Sequence, residues 1–185
     1  MTETPVLVVG GAGFIGSHMV KLLGEYGYNI TTLDNFSTGH RDCVLFGDVI
    51  VGNCGDTSTL NFVLSRSFDV VMHFASFIEV GESISNPTKY YKNNLVDTIA
   101  LLNAMASRGI NKFIFSSTAA TFGEPLYIPI DESHPQNPNL HSRRTITTGE
   151  GALCLPAFGD CLVPQALSGN PSSPGSARRA GNPDL

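Results

Sequence analysis

Short apolar runs alternate along this chain with stretches whose apolar positions recur every three or four residues, the mark of strand and helix in turn. Residues 6–9, Val-Leu-Val-Val, are contiguous apolar residues and predict a buried strand over 5–10. An amphipathic helix pattern comes next over 14–26, and a second strand over Asn29–Asp34. Residues 35–42 are polar and read as a loop before a short strand at 49–51. The next helix is predicted over 57–66, with Thr57 as its cap and Leu60, Val63 and Leu64 on one face. A fourth strand spans 68–74, where Val70, Val71 and Met72 suit burial on both faces. Residues 75–85 are read as a loop. Asn86 and Pro87 then open a long helix to about 107, with Leu95, Ile99, Leu102 and Met105 as its apolar stripe. Arg108-Gly109 ends it, and a fifth strand is predicted over 111–117.

This regular alternation predicts the α/β class: a Rossmann-like, doubly wound parallel sheet with helices on both faces. The pattern stops after a loop over 118–138 that carries prolines 125, 129, 135 and 138. Residues 139–185 contain six glycines, five prolines and no lysine, and show no sustained period. Ordering such a segment costs roughly 1.5 kcal/mol per residue, which sparse apolar contacts do not offset. The expected organisation is therefore a dinucleotide-binding domain over 1–138 and an atypical, disordered tail over 139–185.

Composition narrows the function classes. A net charge of −5 gives no basic footprint for nucleic acid or an anionic membrane. No apolar run is long enough to span a bilayer, and no signal peptide is read at the N-terminus. Cysteines 43, 54, 154 and 161 are too few and scattered for a disulfide framework or a metal-ligating spacing. A reduced, cytoplasmic protein is the expectation.

The chemistry concentrates where the first strand meets the first helix. Gly10, Gly13 and Gly16 stand three apart in GGAGFIG, between the predicted strand and helix. Glycines let a ligand approach the backbone, and the helix N-terminus offers unpaired N–H groups to an anion such as a pyrophosphate. Asp34 lies 18 residues past Gly16 at the end of the second strand, close to where a ribose-binding carboxylate belongs. Asn93, mid-helix where asparagine is disfavoured, is a further candidate cofactor contact. His73 is read as a packed strand-end histidine, and Tyr90 and Tyr91 as packing residues.

These stretches resemble the extended short-chain dehydrogenase/reductase superfamily, and within it the UDP-glucose 4-epimerase (UDP-galactose 4-epimerase) family, over about residues 5–138. GGAGFIGSH is similar to the family's nucleotide-binding turn, and LDNFSTGH at 33–40 to its ribose-contacting segment. HFASFIEVGES at 73–83 and YYKNN at 90–94 are close to epimerase signatures, and FIFSSTAATFGE at 113–124 to the segment bearing a catalytic Ser or Thr. The resemblance implies a bound NAD, a UDP-sugar substrate of galactose metabolism, reversible oxidation at C4 of the sugar, and a homodimer. It adds Phe14, Ile15, Asn35, Asp56, Phe74, Ala75 and Ser116 to the cofactor contacts, and makes Thr118 the hydroxyl that orients the reacting group. Ala119 and Ala120 come directly after Thr118, where nucleotide-sugar dehydratases carry an Asp-Glu pair, which favours simple redox over elimination.

Departures from the family pattern are equally plain. The family continues from its Pro-Gln-Asn-Pro region into a segment bearing a Tyr-x-x-x-Lys pair. Here no tyrosine occurs after Tyr127 and no lysine after Lys112, and the two slots fall near Ser142 and Ile146. The change resembles a frameshift or an alternative terminal exon. The family's Gly-Asp pair after the third strand reads here as Gly52-Asn53-Cys54-Gly55-Asp56, and Ile78 stands where a lysine often lies. Three functions stay open: an epimerase in incomplete, inactive form, a non-catalytic NAD-binding module, and a relative such as a dehydratase.

Overall fold

The computed structural model describes residues 4–131, 133–137, 145 and 161–162. Strands β1 (Pro5–Val9), β2 (Asn29–Asp34), β3 (Asp48–Val51), β4 (Val70–His73), β5 (Phe113–Phe115) and β6 (Cys161–Leu162) form one sheet in the order β3-β2-β1-β4-β5-β6. Every pairing is parallel. The chain steps outward from β1 through β2 to β3, then returns to the other side of β1 with β4. The boundary between β1 and β4 is thus the switch point where such sheets bind ligands, beyond the carboxyl ends of the strands.

The pleat of β1 shows how the two faces are filled. Leu7 and Val9 pack into a core with Leu33, Leu60, Val63, Val71, Leu101, Leu102, Met105, Phe113 and Phe115. Val6 and Val8 point the other way, into a cluster with Val20 and Ile30. Successive strand side chains alternate in direction, so a contiguous apolar run is what a strand covered on both faces requires. Helix α1 (Phe14–Glu25) supplies Val20 to one face, while α2 (Thr57–Val63) and α5 (Asp97–Ala106) cover the other.

The helical half of the prediction needs correction at several points. Residues 75–85 are not all loop, because α3 occupies Val80–Ser85. Gly81 and two serines hid it; it is held by Glu82, which accepts from Lys89 Nζ at 2.6 Å and Tyr90 Oη at 2.9 Å. Asp56, not Thr57, sits at the N-cap of α2. The long helix is continuous in course but not in winding: α4 (Pro87–Tyr90) passes through a π-helical turn at Tyr91–Val96 into α5. Asn86 does cap it, its side chain accepting from the Lys89 N–H at 3.4 Å.

The buried stripe of that helix is also shifted. Tyr90, Asn94, Asp97, Thr98, Leu101, Leu102 and Met105 face inward, whereas Ile99 is partly exposed and Leu95 half-buried. Three polar residues occupy inward positions, so an apolar pattern alone picks the neighbouring face. Strands β4 and β5 are shorter than predicted, since their flanking residues continue the ladder by single bonds: Phe74 N–H donates to Val9 at 2.8 Å and Ser116 N–H to His73 at 3.0 Å. Residues 161–162 pair with β5, a strand the sequence pattern did not predict. Thr145 is buried and accepts from Asn94 Nδ2 at 3.1 Å, so the expectation of disorder over 139–185 fails there as well, and for the rest of that stretch it lies outside the described residues. Cys43 and Cys54 are free thiols, and no helix among the described residues is long and apolar enough to cross a membrane.

Candidate cofactor-binding site

The site grows out of the β1–α1 turn. Gly10 has a left-handed φ of 79°, and a Cβ there would lie 2.6 Å from the Ala75 backbone nitrogen. A Cβ on Gly16 would run into the Gly10 carbonyl. Both positions therefore need glycine, one for conformation and closeness, the other for closeness alone. Gly13 is the extended N-cap of α1, and Ser17 N–H donates to its carbonyl at 2.9 Å. The first-turn amides of α1 have no helical acceptor and no acidic side chain beside them, as an anion site requires. Phe14 and Ile15 stand out at that turn, 82% and 59% exposed.

Asp34 ties the turn to β2. Its Oδ2 accepts from the Ala12 N–H at 2.9 Å and its Oδ1 from the Phe36 N–H at 2.8 Å. A carboxylate has about four acceptor positions, so two backbone bonds fix its orientation and leave capacity for hydroxyl donors. The loop beyond it folds back over the glycine turn, with His40 N–H donating to the Ala12 carbonyl at 3.1 Å. Asn35 is exposed, and its side chain closes a local turn by accepting from the Ser37 N–H at 2.9 Å.

On the other side of β1, Phe74 and Ala75 leave β4 half-buried and pass over Gly10. Their position is set by a polar chain. The Ala75 N–H donates to His73 Nδ1 at 3.1 Å, so the proton resides on Nε2, which donates to Thr98 Oγ1 at 3.0 Å. Thr98 Oγ1 in turn donates to the Asn94 carbonyl at 3.0 Å. Burial lowers the His73 pKa to about 4, which matches a packed histidine and not an acid or base at neutral pH. Asn94 grips the same loop further on: its Oδ1 accepts from the Phe77 N–H at 2.9 Å, and its Nδ2 donates to the Phe77 carbonyl at 3.0 Å.

Gly10, Gly13, Phe14, Ile15, Gly16, Asp34, Asn35, Phe74, Ala75 and Ser116 thus gather along the carboxyl ends of β1, β2, β4 and β5. Ser116 and Thr118 are half-buried just past β5, and the Thr118 carbonyl accepts from Thr121. Asn93 is half-buried and donates to Asn94 Oδ1 at 2.9 Å. Asp56 is exposed at the start of α2, and half-buried Asn53 lies nearer the end of β3. Ile78 is 70% exposed. Sequence pattern passed over Asn94 and Thr98; their signal is two consecutive asparagines and a threonine on an inward helical face. Ser142 and Ile146 lie outside the described residues.

The sequence matches the NAD dependent epimerase/dehydratase family over residues 6–144. It is 47% identical over 154 residues to UDP-glucose 4-epimerase of Rhizobium leguminosarum bv. trifolii, covering 83% of this chain and 47% of that protein. To UDP-glucose 4-epimerase of Rhizobium meliloti it is 45% identical over 154 residues, with the same shares covered. The crystal structure of UDP-glucose 4-epimerase from Brucella ovis in complex with NAD superposes with a TM-score of 0.83 at 39% identity, covering 88% of this chain and 51% of that one. The chain spans about half the length of the curated relatives it matches.

Proposed function

The chain belongs to the NAD dependent epimerase/dehydratase family, and we propose that its residues 1–138 form the NAD-holding half of a nucleotide-sugar 4-epimerase that interconverts UDP-glucose and UDP-galactose. Residues 139–185 are, in this proposal, an atypical tail, of which Thr145 and Cys161–Leu162 touch the first domain. The observation that carries the reading is the bond between the Ala12 N–H and Asp34 Oδ2 at 2.9 Å. It joins the turn suited to a pyrophosphate and the acid suited to a ribose into one preformed unit, the two halves of a dinucleotide fingerprint. The fit of the residues to NAD is also supported by Gly13, where a Cβ would meet only the Gly10 carbonyl, at 3.5 Å, while Gly10 and Gly16 let the turn pack closely on itself and on Ala75.

In this proposal the first-turn amides of α1 hold the pyrophosphate, with Gly13, Phe14 and Ile15 around it. Asp34 accepts from the adenosine ribose hydroxyls, flanked by Asn35, and Asp56 serves the adenine end. Phe74, Ala75, Asn93 and Ser116 line the nicotinamide side. When bound, NAD supplies a hydride acceptor and donor for C4 of the sugar. Thr118 donates to the C4 hydroxyl and orients it. Alanines 119 and 120 beside Thr118 support redox over dehydration. A UDP-sugar partner, a homodimer, a role in galactose metabolism and a cytoplasmic setting belong to the same proposal; the net charge of −5 supports no nucleic-acid or membrane partner.

A second reading, a non-catalytic NAD-binding module, is favoured by the sequence around Ser142 and Ile146, near where the Tyr-x-x-x-Lys pair is expected, which carries neither a tyrosine nor a lysine. Without a phenolate there is no positioned base for the C4 hydroxyl, a contribution of about 10²–10⁴ in rate. Calorimetric titration of the 185-residue chain with NAD+, beside an assay of UDP-glucose and UDP-galactose interconversion, tests both readings. The expected result is stoichiometric NAD binding without turnover. Absence of NAD binding overturns the cofactor assignment, and turnover overturns the non-catalytic reading.

A further inference from the structure

Asp97 opens α5 with its side chain only 3% exposed, and a carboxylate so far from water needs a charged or hydrogen-bonding partner. Lys92 provides one: its ammonium donates to Asp97 Oδ1 while the lysine side chain stays 57% exposed. In an α-helix, side chains meet at spacings of three and four, not five. The π-helical turn supplies the five-residue repeat, the Asp97 N–H donating to the Lys92 carbonyl, and brings the two side chains into one register.

The paired carboxylate abuts the turn that leaves β3. A Cβ on Gly55 would run into the Asp97 carboxylate. Cys54 beside it is buried, its thiol pushed up to about 12 by burial first and by Asp97 second. The turn itself is closed by the Asp56 N–H donating to the Asn53 carbonyl at 3.1 Å, and it leads directly into α2, which packs on α5.

In the cofactor reading above, the pyrophosphate sits at α1 and the ribose at Asp34 on β2. The next strand outward is β3, so the adenine falls over residues 52–56. We propose that Lys92 and Asp97 are positioning residues for the adenine end of the dinucleotide. The pair braces the 52–56 turn against α5 and so sets affinity for the adenosine half of the ligand. The proposal about affinity rests on the cofactor reading; the brace itself does not.

Amide hydrogen exchange on the free, full-length chain reads the brace without ligand, using Asp97→Asn and Lys92→Gln. Lys92→Gln alters a mostly exposed side chain and serves should Asp97→Asn fail to fold. Exchange at residues 53–56 is expected to rise about tenfold or more, the effect of removing one partner of a half-buried charge pair, with β1 and β4 unchanged. Unchanged exchange at 53–56, or a uniform rise across the sheet, overturns the brace. Titration with AMP and with nicotinamide mononucleotide then separates positioning from general loosening. AMP affinity is expected to fall about tenfold in either variant, the same local opening read as binding, while nicotinamide mononucleotide affinity holds. Equal weakening of both ligands, or of neither, overturns the positioning role. If the unaltered chain binds neither AMP nor NAD, the cofactor reading fails and the adenine role falls with it, while the exchange result still decides the brace.

Discussion

Asp34 and His73 flank the carboxyl end of β1, His73 level with Val9 and Asp34 one residue beyond Val9's other partner, Leu33, yet only Asp34 was readable as a functional residue from its place in the sequence. The acid's spacing from the glycine turn is a sequence property. Its two backbone bonds, to Ala12 and Phe36, are contacts across 22 residues and across one turn, and only the first needs the fold. A ribose 2′-phosphate beside this carboxylate meets like charge, costing about 1–4 kcal/mol per charge pair between bulk water and a protein surface. Titration calorimetry should accordingly find NAD(H) bound more tightly than NADP(H), and Asp34→Ala should weaken NAD while narrowing that preference. Equal affinities in the unaltered chain would remove Asp34 from the ribose site. For His73 the testable property is pH. Its folded pKa of about 4 lies below the ordinary 6.5 because burial disfavours the imidazolium. Between those values the unfolded chain binds a proton that the folded chain does not, so folding stability declines as pH falls from 6.5 towards 4 and is unaffected by this group above 6.5. The full span corresponds to about 3 kcal/mol. Urea unfolding of His73→Gln across that range should show a shallower decline than the unaltered chain, and identical slopes would contradict the buried neutral imidazole.

Elements whose apolar pattern matched their burial were legible, and those that bury polar groups were not. β1 and α1 can be read from Val-Leu-Val-Val and the glycine turn because both faces of β1 meet apolar partners. The α4–π–α5 helix misled the pattern because Asn94, Asp97 and Thr98 face inward, each satisfied by a partner distant in sequence or by the irregular turn. Asn94 is the clearest case. Its Oδ1 accepts from Phe77 and Asn93 and its Nδ2 donates to Phe77 and Thr145, four bonds that fill its capacity. Asn94→Leu would orphan the Phe77 N–H and carbonyl, at about 1–3 kcal/mol for each buried group left unpaired. Thermal unfolding should register that loss, and NAD affinity should fall with it, since the same loop carries Ala75 over Gly10. Asn93→Ala removes a single bond and should cost less stability than Asn94→Leu; the reverse order would show that Asn93, not Asn94, holds the loop.

At the scale of the whole molecule, the doubly wound order was predictable because each βαβ step announces itself through alternating periods, and parallel strands require a crossover. The pairing of residues 161–162 with β5 was not, since two residues carry no period. In the proposed function, activity depends on the residues beyond the proline-rich loop. Thr118 stands just past β5, but Ser142 and Ile146, near the expected slots of the pair, offer neither phenol nor ammonium. A chimera in which residues after 138 are replaced by the corresponding continuation of the Rhizobium leguminosarum relative would restore a Tyr-x-x-x-Lys pair, if that relative carries the family's segment. The unaltered chain should bind NAD and leave UDP-glucose and UDP-galactose unchanged, whereas the chimera should interconvert them. The gain combines a general base, worth about 10²–10⁴ in rate, with substrate orientation, which can reach about 7–11 kcal/mol. Thr118→Val in the chimera should then reduce turnover while NAD affinity, read by calorimetry, stays constant, because the residues proposed to hold the dinucleotide are Gly10, Gly13, Gly16 and Asp34. An inactive chimera that binds NAD normally would argue for the binding-module reading of residues 1–138. Turnover by the unaltered chain would point instead to a substitute base, with His141 the first position to mutate.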